Sequence, residues 1–295
     1  MTDFLVGPFA DNEFLRLSLV ATCVVAVTCA IAGAFVVLRG LAFVGDALAH
    51  GVVPGVAVAL MAGFSGVLGA AVGAGVMMAG VGVVNRRFRL SNDTSIGLLF
   101  VGMLALGVII QSRSESFAGD LTKVLFGEVL GISWSDVAWQ SVALVVVAGT
   151  AWVCRRPFLL LSFDEGLAAT SGFSVRRYSN AMLAMVALTV VASFQTVGTL
   201  LVLGMLVAPA ATGALFGRRI SGVVIVAAVV GIVSSYVGLL VSYHADLAAS
   251  ASIVLTAVVV FALAATTVEV RRWLEHRRDI HHLHDHPHFH EHVHH

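Results

Sequence analysis

Charge is scarce in this sequence. Only 12% of its 295 residues are Asp, Glu, Lys or Arg, against about 25% in an ordinary soluble domain. Lysine occurs once, at Lys123. No G-x-x-x-x-G-K-[ST] run exists, so the chain has no P-loop with which to hydrolyse ATP. The net charge is zero, which removes any global basic field for nucleic acid. The nucleophile elbow G-x-S-x-G and the haem motif C-x-x-C-H are missing, and no H-E-x-x-H lies inside an apolar run. An enzyme working inside a membrane is therefore disfavoured. Cysteine is rare too. Cys23, Cys29 and Cys154 sit in apolar stretches and read as small buried hydrophobes. The first fifteen residues hold Asp3, Asp11 and Glu13 and no basic residue, the wrong start for a cleavable signal peptide.

What is present is long apolar runs. Hydrophobic residues make up 59% of the chain, and its mean hydropathy is +0.97. A membrane span needs about 20 apolar residues. Nine segments qualify: 16–38, 46–63, 66–85, 93–112, 134–154, 179–195, 198–217, 220–243 and 249–268. The least distinct are 46–63 and the split near Gln195 and Gly198, so the expected fold is all-α and polytopic with eight or nine spans. Nine spans with the N-terminus outside place 14 of the 17 basic residues in cytoplasmic loops, leaving out Arg16, Arg113 and Lys123. The spacing Gly69-x-x-x-Gly73 allows close helix packing and reads as general packing before a dimer seam. The membrane domain is expected over 1–270, with a disordered cytoplasmic tail over 271–295.

Against this apolar background the ionisable residues stand out. Asp46 and His50 are four apart, so a helix puts them on one face. Carboxylate and imidazole suit a divalent transition metal. The competing reading has Asp46 brace the bundle, by accepting a bond from His50 or from a helix N-terminus. An ionisable residue in a span is by default a functional hypothesis, because desolvation is costly. Pro54 and Gly55 follow, and the segment 40–55 could be irregular or re-entrant. Glu128 and the pair His244 and Asp246 are further candidates for a metal path, expected near the outer face.

Two other segments carry signals. In "RRPFLLLSFDEGLAATSGFSVRR" (155–177), Ser162 and Glu165 have capping-box spacing and Gly172 offers a stop. A helix of about ten residues is expected, lying on lipid or docking a cytoplasmic partner. The tail reads "HLHDHPHFHEHVH" from His282 to His294, with His284, His286, His288, His290 and His292 between them. Alternating histidines bind metal through imidazole. The interleaved acids, proline and phenylalanine speak against an expression tag.

Taken together, these blocks resemble the permease subunits of bacterial ABC importers for zinc and manganese. "LRGLAFVGDALAHGVVPGVA" (38–57) carries the resemblance first. "DTSIGLLFVGMLALGVII" (93–110), "LTKVLFGEVLGIS" (121–133), "FDEGLAATSG" (163–172) and "VGTLLVLGMLVAPAATGALF" (197–216) follow in the same order. The resemblance spans roughly residues 14 to 268. Ala49 departs from it, since serine is common there, and the histidine tail is an addition.

The resemblance implies a homodimer in the bacterial cytoplasmic membrane. It implies two separate ATPase subunits on the inner side and an extracytoplasmic metal-binding protein on the outer side. It implies that 162–172 is the coupling helix, which brings in Ser162, Asp164, Glu165, Gly166, Ala169 and Gly172. Asp46 and His50 match the family's acid–histidine pair, with Glu128, His244 and Asp246 as weaker transfers. No cofactor is bound permanently, and the cargo is Zn2+ or Mn2+, with the tail tilting the expectation to zinc. Imidazole ligates only when neutral, so uptake is expected to weaken in acid. The alternative from another class is a proton-coupled secondary metal carrier.

Overall fold

The computed structural model describes residues 7–10, 12–88, 91–112 and 131–284. Among them every regular element is a helix. The helices longer than a single turn are α1 (Glu13–Leu38), α2 (Ala42–Met61), α3 (Gly66–Phe88), α4 (Asn92–Gln111), α5 (Trp134–Val153), α6 (Arg155–Phe163), α7 (Glu165–Thr170), α8 (Val175–Phe216), α9 (Ile220–Ala245) and α10 (Ala249–His284). Eight helical segments are long and apolar enough to cross a membrane, and α4 adds a shorter apolar stretch, Thr94–Ile110. The nine apolar segments expected from sequence are therefore all helical. Large apolar side chains such as Val72, Leu98, Val145, Ile225 and Leu255 remain exposed around the bundle, as a lipid-facing surface requires.

α8 is two spans, Val175–Phe194 and Val197–Phe216, joined at Gly198. Gly198 has φ 75° and ψ 163°, a conformation open to glycine and strained for any other residue. The two halves run in opposite senses. The first half starts beside the end of α1, where Ser179 meets Arg39. The second half runs alongside α1, with Cys29 beside Val202 and Gly33 against Leu206.

Packing register assigns the helix ends. Gly45 of α2 also packs on Leu206, so α2 doubles back along α1. Gly55 faces Gly69, and Gly51 faces Gly73 and Met77, which makes α3 antiparallel to α2. Gly213 meets Val223, and Gly231 meets Ala26 and Met205, so α9 is antiparallel to the second half of α8. One end of the bundle thereby collects Arg39, Arg87, Arg155, Arg156, Arg176, Arg177, Arg218, Arg219, Arg271 and Arg272. At the other end Asn12 reaches the Tyr243 hydroxyl at 3.5 Å, and the rings of Phe9 and Tyr236 stack at 5.1 Å.

The Gly69-x-x-x-Gly73 seam is used inside the chain, against α2, as general packing requires. Two expectations change. The segment 40–55 is helical from Ala42, and α2 continues through Pro54 to Met61. The helix of α10 does not stop at residue 270 but runs on to His284; residues 285–295 lie outside the described residues.

Candidate functional site

α2 places its ionisable pair. It begins after a tight turn in which Gly40 has φ 70° and donates to the Val37 carbonyl at 3.0 Å, while Leu41 donates to Val36 at 2.9 Å. This glycine-capped stop orients the next helix firmly. One turn into α2, Asp46 Oδ1 lies 3.4 Å from His50 Nε2. Their side chains are 27% and 24% exposed, amid buried Val44, Ala47, Leu48, Ala49, Gly51 and Val52. His50 Nδ1 is buried without a hydrogen-bond partner, and the ring stands edge-on to Phe100 of α4 with centroids 5.3 Å apart. Pro54 withholds the helical N–H that would reach the His50 carbonyl.

The 3.4 Å separation is loose for a hydrogen bond and is also compatible with a shared metal ion. Metal–ligand bonds of about 2.0–2.2 Å put neighbouring donors about 2.8–3.1 Å apart in octahedral and about 3.3–3.6 Å apart in tetrahedral geometry. One ion could therefore bridge the two side chains with little movement. Among the described residues no group of three or more His, Cys, Asp and Glu could hold a metal ion, so the pair is an incomplete ligand set within one chain.

The other sequence candidates lie elsewhere. His244 and Asp246 sit at the end of α9, opposite the cluster of arginines. His244 Nδ1 is 2.9 Å from the Leu240 carbonyl, and its ring meets Tyr243 edge-on at 5.4 Å. Asp246 is the left-handed cap of α9, with φ 51°. α9 packs on α1, α8 and α10, whereas α2 packs chiefly on α3, α4 and α8, so the structure does not bring these residues to Asp46 and His50. Glu128 lies outside the described residues. So do His286, His288, His290, His292 and His294; His282 and His284 are described only as helical backbone.

The segment at the arginine end is two short helices. Ser162 does not cap α7. It lies within α6, where its hydroxyl donates to the Phe158 carbonyl at 2.8 Å. Asp164 is the cap instead, with Oδ1 accepting from Gly166 N at 2.6 Å and from Leu167 N at 3.4 Å. Ser162 and Glu165 have the i,i+3 spacing of a capping box, but an aspartate next to the helix satisfies the same orphan N–H groups more directly. α7 therefore has six residues. Gly172 does end it, with φ 84° and bonds from Gly172 N to Ala169 O and from Phe173 N to Ala168 O. Asp164, Glu165, Gly166 and Ala169 are all exposed. Asp164→Ala should loosen this helix by about 1 kcal/mol, seen as faster amide hydrogen exchange at Gly166 and Leu167.

Sequence reading passed over Arg39 and Ser179 as site residues. The Arg39 guanidinium holds Glu165 Oε1 at 2.6 Å and donates to the Ser179 hydroxyl at 3.0 Å. An arginine just before a helix-stopping glycine gave a topological signal, but nothing local announced partners so distant in sequence.

The chain matches the ABC 3 transport family over residues 11–268. It is 36% identical to the "Manganese transport system membrane protein MntC" of Listeria monocytogenes over 261 residues, 88% of this chain and 92% of that protein. It is 33% identical to the "Probable iron transport system membrane protein" of Haemophilus influenzae, covering 92% of this chain and all of that one. Among solved structures it resembles PsaBC from Streptococcus pneumoniae in complex with Fab, with a TM-score of 0.80 and 30% identity over 90% of this chain and 95% of that one.

Proposed function

Because the chain belongs to the ABC 3 transport family, we propose that it is the multi-pass permease of an ATP-driven importer of a divalent transition metal, with manganese the favoured cargo. The observation that carries this reading is the Asp46–His50 pair, a carboxylate and an imidazole one turn apart inside an apolar bundle with donor atoms at metal-bridging separation. The absence of a P-loop means that hydrolysis belongs to separate ATPase subunits. The end rich in arginine faces the cytoplasm by the positive-inside rule, and α6 and α7 offer those subunits a docking surface there. An extracytoplasmic binding protein delivers the ion to the opposite end, near His244 and Asp246. A second copy related by a two-fold axis supplies another Asp46–His50 pair, which would complete the ligand set one chain leaves open.

The zinc expectation rested on the histidine tail. Two lines support manganese instead. The relatives named above bear manganese and iron names. Carboxylate and water also suit manganese, while imidazole accepts either ion. The tail then becomes an accessory metal buffer on the cytoplasmic side, reached only after transport.

The test is metal accumulation in cells that lack their own importers and express this chain with its ATPase and binding protein. Manganese should rise well above zinc. Removing residues 285–295 should leave the initial uptake rate unchanged. Zinc as the main gain would overturn the cargo, and uptake that persists without the ATPase would favour the proton-coupled carrier.

A further inference from the structure

We propose that Arg39 is the positioning residue that ties the docking helix α7 to the turn in front of α2, and so transmits the motion of the ATPase to Asp46 and His50. The inference rests on the reading of this chain as an ATP-driven permease, and adds a mechanical link that reading lacks.

Three observations carry it. First, the Arg39 side chain is only 6% exposed, while that of Glu165 is 55% exposed. A guanidinium withdrawn from water must keep its partners, because breaking such a pair leaves an uncompensated buried charge. The link is therefore anchored on the α1 side and presented to solvent on the α7 side. Second, the guanidinium fork is divided between two elements, Nη2 to Glu165 of α7 and Nη1 to Ser179 of α8. A lysine, with a single compact charge, does not reproduce that planar fork. Third, α7 otherwise packs on α6 and only lightly on α8. The ion pair is its link to α1 among the described side-chain bonds.

The path beyond Arg39 is short and stiff. Arg39 caps α1, and Gly40 and Leu41 are held by backbone bonds back to Val37 and Val36. α2 starts at Ala42, and Asp46 follows on its second turn. A displacement of α7 that pulls on Glu165 therefore reaches the start of α2 through one tight, hydrogen-bonded turn.

The experiment uses the full complex of this chain with its ATPase in proteoliposomes, with manganese as the probe. ATP hydrolysis and manganese uptake are measured on the same preparation for wild type, Glu165→Gln, Arg39→Lys and the double variant. Glu165→Gln is the primary variant, since its side chain is half in water and a nearly isosteric change leaves the fold alone. Glu165 also lies on the docking helix, so the readout is uptake per ATP hydrolysed, whatever the hydrolysis rate. Expected is uptake per ATP reduced about five-fold or more, the lower range of energetic coupling between sites. The double variant should be no worse than the more impaired single variant, because both break one link. Unchanged uptake per ATP in Glu165→Gln, or losses that multiply in the double variant, would overturn the link while leaving the permease reading intact. A wild-type complex that hydrolyses ATP without moving manganese, zinc or iron would overturn the permease reading, and the link with it.

Discussion

Asp46→Ala should abolish metal uptake while the permease remains folded and bound to its ATPase. The reason is an imbalance between what Asp46 costs and what holds it. A carboxylate in a span is costly, about 2.5–3.5 kcal/mol at the centre and less toward the end where Asp46 lies. Here its near polar neighbour is His50 Nε2 at 3.4 Å, too loose for a strong hydrogen bond. Its removal should therefore leave thermal stability unchanged or raised. Transport should fall to background, because the ion would be left with imidazoles alone and no carboxylate from either copy. Asp46→Asn should behave in the same way, since it keeps the shape and loses the charge. Uptake by each variant, together with its unfolding temperature in detergent, checks the argument. A lowered unfolding temperature with uptake retained would make Asp46 a structural brace.

The largest effect on stability is expected at the contact between α2 and α3. A Cβ added to Gly55 would collide with the Gly69 carbonyl oxygen, and one added to Gly69 would collide with the Gly55 carbonyl. Gly73 approaches the Gly51 carbonyl in the same seam, at 2.8 Å from a notional Cβ. These are backbone atoms of two packed helices, so no side chain can move aside. Overpacking of a tight site costs about 1–3 kcal/mol and sometimes more. Gly55→Leu should therefore lower the unfolding temperature sharply and shift α2, with loss of uptake as a consequence. Gly55→Ala should also destabilise, even though alanine is favoured over glycine by about 1 kcal/mol within a helix. Gly75 lies on α3 with nothing within 4 Å of its notional Cβ. Gly75→Ala should be neutral or stabilising, and equal responses at Gly55 and Gly75 would contradict this account of the seam.

Both predictions draw on features that sequence disclosed in part. The Asp46–His50 pair was visible because its geometry is local: four residues on a helix share a face whatever surrounds them. The glycine spacing was visible as well, but its partner was not, since the same motif serves a dimer or an internal seam. The cap of α7 was misplaced by two residues because Ser162 and Asp164 both bear capping oxygens, and only the backbone path of α6 separates them. His244 and Asp246 share chemistry with Asp46 and His50, but register puts them at the other end of the bundle, so the four do not form one cluster. The tail pulled the expected metal toward zinc through composition alone.

Sequence by itself determined which segments can enter a membrane, that they are helical, and that one of them carries a carboxylate and an imidazole in step. Those properties follow from transfer of local side chains out of water and from the helical repeat, and neither needs a distant contact. Tertiary structure alone decided that Gly69 meets Gly55, that Cys29 lies beside Val202, and that Arg39 reaches Glu165 across 126 positions of sequence. The physical reason lies in the helices themselves. They are apolar on nearly every side, so no stripe marks the face turned to a neighbour. The choice of partner falls to close packing of small residues and to a few buried charges, which no single segment reveals.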